Sequence, residues 1–147
     1  MGSYMVIDEG EFTMEQANLA KALGAARVLV ETHDFWEGWR AFTSLDQGFD
    51  ALSLYPSYDA HGNIVDLAAD GGKVNGQHAF FSAIAPYVVG SSYLRCHDDN
   101  GQYWLWTFDG ARLRSFRCVP VIGGVRKREE LDYAPAYDRP ARQRFAL

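Results

Sequence analysis

The chain predicts an α+β fold: one mainly antiparallel sheet of about five to six strands, with two to three helices packed on one face. The sheet is expected to end in a three-stranded meander. Three observations carry this. Asn100-Gly101 and Asp109-Gly110 bracket the run Tyr103-Trp104-Leu105-Trp106-Thr107-Phe108. Those dipeptides supply the positive-φ positions that hairpin turns need, and the run between them is aromatic and β-preferring. Apolar residues at helical spacing occupy other segments, as Phe35, Trp36, Trp39 and Phe42 do. The elements follow the order β-α-α-β-β-α-β-β-β, with strands grouped as hairpins and helices between groups, which favours α+β over a parallel sheet.

Tyr4-Met5-Val6-Ile7 and Glu9-Gly10-Glu11-Phe12 read as an opening strand with a glycine irregularity. Thr13-Met14-Glu15-Gln16 fits a capping box, with Thr13 capping and Gln16 reaching back. The helix runs through Ala17, Leu19, Ala20 and Leu23 to a C-cap at Gly24. Val28-Leu29-Val30 suits either a strand or more helix. Asp34 caps a second helix bearing the Phe35–Phe42 aromatic face, and Gly48 ends that region. Leu52 to Tyr58 reads as a strand. Pro56 removes a donor there, so the strand is expected either to lie at a sheet edge or to break at that point.

Asp59-Ala60-His61-Gly62 is a turn. The strand after it puts Val65, Leu67 and Ala69 on one face and closes at Asp70-Gly71-Gly72. Asn75 caps a third helix from Gln77 to about Val88, with Phe80, Phe81, Ile84 and Tyr87 inward; Pro86 kinks or shortens its end. In the meander a three-residue loop with Gly101 sets Leu94 and Cys96 on the face of Trp104 and Trp106. A two-residue Asp109-Gly110 loop sets Trp106 opposite Leu113. The buried face then carries Leu94, Cys96, Trp104, Trp106, Phe108 and Leu113. The other carries Arg95, Tyr103, Leu105, Thr107, Arg112 and Arg114. From Gly123 the pattern decays. Residues 1–124 are expected as one domain, and 125–147 as a charged, Pro- and Tyr-containing arm that docks only through Tyr133, Tyr137 or Phe145.

The 147 residues suit one domain, and 48% hydrophobic with 22% charged residues is a globular balance. No apolar run is long enough to span a membrane. The N-terminus has neither the basic region nor the apolar core of a secretory signal. A reducing cytoplasm is therefore the expected location, with Cys96 and Cys118 as free thiols. Net charge is −5, unevenly spread: residues 1–110 hold 5 basic and 15 acidic residues, and 111–147 hold 9 and 4. The charged C-terminal part is either an interaction segment or a solvated tail that partly neutralises the acidic body.

The search for chemistry returns little. His33-Asp34 could be an acid/base pair, but Asp34 reads more simply as a helix cap. Cys96-His97-Asp98-Asp99 is the densest cluster of reactive types, yet strand neighbours point to opposite faces, so Cys96 and His97 are no dyad. One His with turn carboxylates has no recognised metal spacing, so no metal and no cofactor is expected. His61 and His78 have no evident partner. Asp8, Glu9 and Glu11 could serve glycosidase-type chemistry but read as a charged strand end. Asp70-Gly71-Gly72-Lys73 lacks the spacing of a phosphate loop. Trp36, Trp39, Trp104 and Trp106 could stack nucleic-acid bases, but their phase is inward. The best candidate patch is Arg112, Arg114 and Arg117 with Tyr103 and Phe116, joined by Arg126, Lys127 and Arg128 of the arm, since Arg and aromatics are favoured at interfaces. Arginines on an open sheet face also serve simply as solubilising residues.

Three segments together, Glu9-Gly10-Glu11-Phe12-Thr13, Asp59-Ala60-His61-Gly62-Asn63-Ile64 and Asp99 through Gly110, resemble small uncharacterised single-domain proteins of bacteria and their phages. The resemblance spans residues 4–118 and implies a stand-alone accessory protein, carried on a phage or other mobile element.

The leading expectation is a non-enzymatic protein that acts by occupying a protein partner's surface: an inhibitor of a host defence system of the anti-CRISPR type, or a toxin-neutralising protein. The alternatives are a small enzyme or ligand binder using His97, Asp98 and Asp99 with the acids near Glu9, and a nucleic-acid binder through the basic last strand and arm. The acidic body weighs against the last. Self-association is a further option.

Overall fold

A computed structural model describes residues 4–32, 43–73 and 76–131. The fold is α+β with a mainly antiparallel sheet. Its strands are β1 (Tyr4–Glu11), β2 (Leu54–Tyr58), β3 (Ile64–Lys73), β4 (Tyr93–Asp98), β5 (Tyr103–Phe108), β6 (Leu113–Val121) and β7 (Gly124–Leu131). They line up in the order β2-β3-β1-β4-β5-β6-β7, seven rather than five to six. The helices are α1 (Leu19–Thr32), α2 (Leu45–Ala51) and α3 (Gln77–Ile84).

The extra strand is β7. Gly123 and Gly124 both hold positive φ, which lets the chain reverse after Val121 and pair antiparallel with β6. Residues 125–131, expected in the arm, thus have the backbone of an edge strand. Their charged sequence conceals it, because an edge strand needs no apolar alternation of its own. The residues beyond 131, including Tyr133, Tyr137 and Phe145, lie outside the described residues, as do His33-Asp34, the Phe35–Phe42 aromatic run and Asn75.

The first helix begins later than the expected Thr13 cap. Met14 is pinned in an antiparallel bridge to Ile64, so the backbone is still extended there. A single 3-10 turn, Gln16–Asn18, precedes α1. The Gln16 N–H donates to the Asn63 side chain at 2.8 Å, a cap supplied from the turn before β3. The helix then continues through Gly24, whose α-carbon faces open space, and Val28 to Val30 are helical. Gly48 ends nothing: it is buried within α2, which is capped by Ser44 accepting from the Gln47 N–H. Ser44-x-x-Gln47 is a legible capping signal.

Pro56 sits within edge strand β2, the first of the two alternatives, and does not break it. Asp70-Gly71-Gly72 does not close β3. The strand runs on to Lys73 and changes partner there, pairing with β1. Gly72 permits this, because a Cβ would lie 2.2 Å from the Ser53 Cβ. α3 stops at Ile84, and Pro86 falls in the 3-10 turn that follows. In the second hairpin Phe108, not Trp106, is opposite Leu113. The loop has four residues, closed by the Asp109 N–H donating to the Arg112 carbonyl. A two-residue slip preserves side-chain parity, so the expected face assignment survives the wrong register.

Helices and sheet close one aromatic core. Phe12 is its hub, packing edge-on against Phe49, Phe81 and Phe108 at 6.2, 5.9 and 5.5 Å between ring centroids. Phe81 of α3 packs on Trp106 at 5.2 Å, which places the helix layer on the Trp104/Trp106 side of the sheet. Both tryptophans are fully buried.

Candidate functional site

The sheet face away from the helices is organised by register into three cross-strand rows. Glu11, Tyr93, Thr107 and Arg114 form one across β1, β4, β5 and β6. Glu9, Arg95, Leu105 and Phe116 form the next, extended to Glu130 on β7. His97, Tyr103 and Cys118 form the third. The β4 and β5 side chains on this face are half-buried, in strict alternation with the core residues. A β-bulge between Ile7 and Glu9 brings Asp8 beside the third row.

The charges on this face are paired across strands. Asp8 grips His97 Nδ1 with both carboxylate oxygens, at 2.7 and 2.9 Å, and the His97 ring lies 5.4 Å from that of Tyr103. The Tyr93 hydroxyl donates to Glu9 at 2.8 Å, and this bond to a carboxylate holds the phenol above its ordinary pKa. Arg95 approaches Glu9 at 3.6 Å. Arg114 makes a fork to Glu130, two bonds of 2.8 Å, and its guanidinium stacks 5.2 Å from the Phe116 ring centre.

At the β4–β5 end of the face an open-mouthed pocket of about 470 Å³ is lined by Glu9, Tyr93, Arg95, Leu105, Thr107 and Cys118. The loop Gly90-Ser91-Ser92 and Phe108 complete its wall. Gly90 keeps that wall tight, because a Cβ there would lie 3.1 Å from the Asp109 backbone.

The structure divides the arginine patch expected from the sequence. Arg114, Tyr103 and Phe116 share the open face. Arg117 registers with Trp104 on the opposite face and is exposed. Arg112 lies in the β5–β6 loop beside Asp109, 3.8 Å away. Arg126 and Lys127 register with Val119 and Cys118 on β7, and Arg128 falls in the shifted stretch between those pairs and Glu130.

The His97-Asp98-Asp99 cluster does not converge. His97 faces the open side. Asp98 is buried at 2% exposure and turns into its own hairpin, accepting the N–H groups of Asn100 and Gln102 at 3.0 and 2.9 Å. Asp99 accepts the Tyr4 N–H at 3.1 Å. These carboxylates hold turns. His97 finds its carboxylate in Asp8, 89 positions away along the chain. Strand parity alone could not find that partner, because it depends on β1 lying next to β4. Among the described residues no group of three or more His, Cys, Asp or Glu is arranged to hold a metal ion. No described helix is long and apolar enough to cross a membrane.

No family model matches the chain, and neither a curated protein nor a solved structure was found to be similar to it.

Proposed function

We propose that the chain is a non-enzymatic binding protein that engages a protein partner through the open face of β1, β4, β5 and β6. The observation that carries this is the make-up of that face. Tyr93, Tyr103 and Leu105 stand beside the His97–Asp8 and Arg114–Glu130 pairs, charged groups that already have partners within the chain. Pre-paired charges lose less on desolvation than isolated ones, and rigid aromatics bring contact area at low entropic cost. A nucleic-acid partner is less suited to it: Arg114 is neutralised by Glu130, Arg117 lies on the other face, and Asp8, Glu9 and Glu11 line the first strand.

Such a protein works by covering its partner's surface, the mode of an inhibitor or a neutralising protein. The two free cysteines suit a reducing compartment such as the cytoplasm. The test is comparative capture from host lysate with the full chain, Leu105→Glu, Tyr103→Ser, and Tyr55→Ser as a control on β2, where Tyr55 is 50% exposed. A stoichiometric partner lost with Leu105→Glu and Tyr103→Ser but kept with Tyr55→Ser supports the reading. A partner retained by all variants refutes it.

A further inference from the structure

We propose that the pocket at the β4–β5 end of the open face binds a small organic carboxylate with an apolar body, its carboxylate seated on the Arg95 guanidinium. Arg95 is the under-satisfied group of this face. A guanidinium carries five N–H donors. Among the described residues its one charged neighbour is Glu9, at 3.6 Å, beyond hydrogen-bond reach. Its Nε is buried without a partner among the described residues. A donor set left short of acceptors beside a cavity favours a planar, two-oxygen acceptor, which a carboxylate supplies.

The rest of the pocket sets the body of the ligand. Leu105 and Cys118 offer apolar wall, with Ser91 and Thr107 beside it. Its volume of about 470 Å³ falls within the roughly 300–1,000 Å³ of small-molecule sites. Glu9 can release Arg95 cheaply. Its carboxylate is half-exposed and keeps the Tyr93 hydroxyl as a separate donor. It then stands beside the bound ligand, where it repels a plain carboxylate and attracts the ammonium of an amino acid. This site shares the open face, and Leu105, with the protein-docking reading, but its test reads small-molecule affinity, so either can fail while the other stands.

The full chain is titrated calorimetrically with 3-phenylpropionate, L-phenylalanine and 2-phenylethylamine, and thermal melts confirm that each variant is folded. The acid binds and the amine does not. Arg95→Gln weakens acid binding by about ten-fold or more, the scale of a lost charged hydrogen bond. Glu9→Gln acts in the opposite direction and tightens it. Bound acid also slows alkylation of Cys118, which lines the pocket. L-Phenylalanine binding more tightly than 3-phenylpropionate in wild type, with that advantage lost in Glu9→Gln, assigns the site to amino acids. The reverse order assigns it to simple carboxylates. Absence of acid binding to wild type, equal binding by the amine, or an unchanged affinity in folded Arg95→Gln overturns the proposal.

Discussion

Cys96 and Cys118 lie on opposite faces of the same sheet, although both are buried. Cys96 registers with Trp104 on the core side, and Cys118 registers with Tyr103 on the open side, one strand further on. Strand β5 separates them, so their backbones are about 9.6 Å apart by strand spacing, beyond disulfide reach. Burial first, and then the neighbouring charges of Asp8 and Cys118, push the Cys96 thiol well above its ordinary pKa.

Both cysteines are therefore expected to label in the denatured protein without prior reduction. In the native protein Cys118 is expected to alkylate first, because it lines the open pocket while Cys96 is sealed in the core. Intact mass against time decides this. Faster native labelling of Cys96 would mean that the sheet register is wrong.

Trp106→Ala is expected to cost about 3–5 kcal/mol, the range for large aromatic truncations in a core. Trp106→Phe is expected to cost much less than that. The Trp106 Nε1–H is buried with no acceptor among the described residues, and so is that of Trp104. Replacing the indole by a phenyl ring removes an unsatisfied donor and offsets part of the lost packing. Urea denaturation of the two variants checks the ordering; equal losses would show that the indole nitrogen is satisfied in solution.

Asp59 and Asp109 organise exposed turns and titrate below the ordinary carboxylate range. Asp59 is held down first by the side-chain bond from Asn63, and Asp109 first by the backbone N–H of Arg112. A pKa lower in the folded state means that the stabilisation is present above the unfolded value, about 3.9. It disappears as pH falls through the folded value. The melting temperature should fall on acidification below about pH 4. Asp59→Asn with Asp109→Asn should flatten that fall while leaving a lower plateau at neutral pH. An unaltered acid limb in the double variant would remove these two groups as its cause.

The meander was legible because its information is local. Turn dipeptides and period-two alternation place Leu94, Cys96, Trp104, Trp106 and Phe108 on one face without reference to the rest of the chain. Pro56 marked an edge for the same reason. The open-face site was not legible as a unit. His97 with Asp8, and Arg95 with Glu9 and Tyr93, require β1 to insert between β3 and β4, a non-local pairing that no spacing announces. The Thr13 cap failed on similar grounds: Asn63, distant in sequence, satisfies the backbone donor that a local cap would have taken.

Strand β7 decides the last expectation. Read from sequence, a chain cut after Gly124 should keep its melting temperature, since the removed segment carries no apolar pattern. In the fold, that cut removes the outer partner of β6 and leaves it paired with β5 alone. The ladder from Ser115–Leu131 to Val121–Gly124 is lost, together with the Arg114–Glu130 fork. Phe116 and Cys118, exposed at only 8% and 6%, then lie on a bare edge. The melting temperature should drop by roughly 3 °C or more, as 1 kcal/mol or more of lost pairing implies for a domain of this size. Soluble yield should fall with it. Glu130→Gln in the full chain separates the two contributions: the Arg114–Glu130 pair is about two-fifths exposed on each side, so breaking it should cost no more than about 1 kcal/mol. A chain cut after Gly124 that melts like wild type would show that β7 adds nothing to the fold, and that residues 125–131 are free to serve as the docking arm their charge pattern suggested.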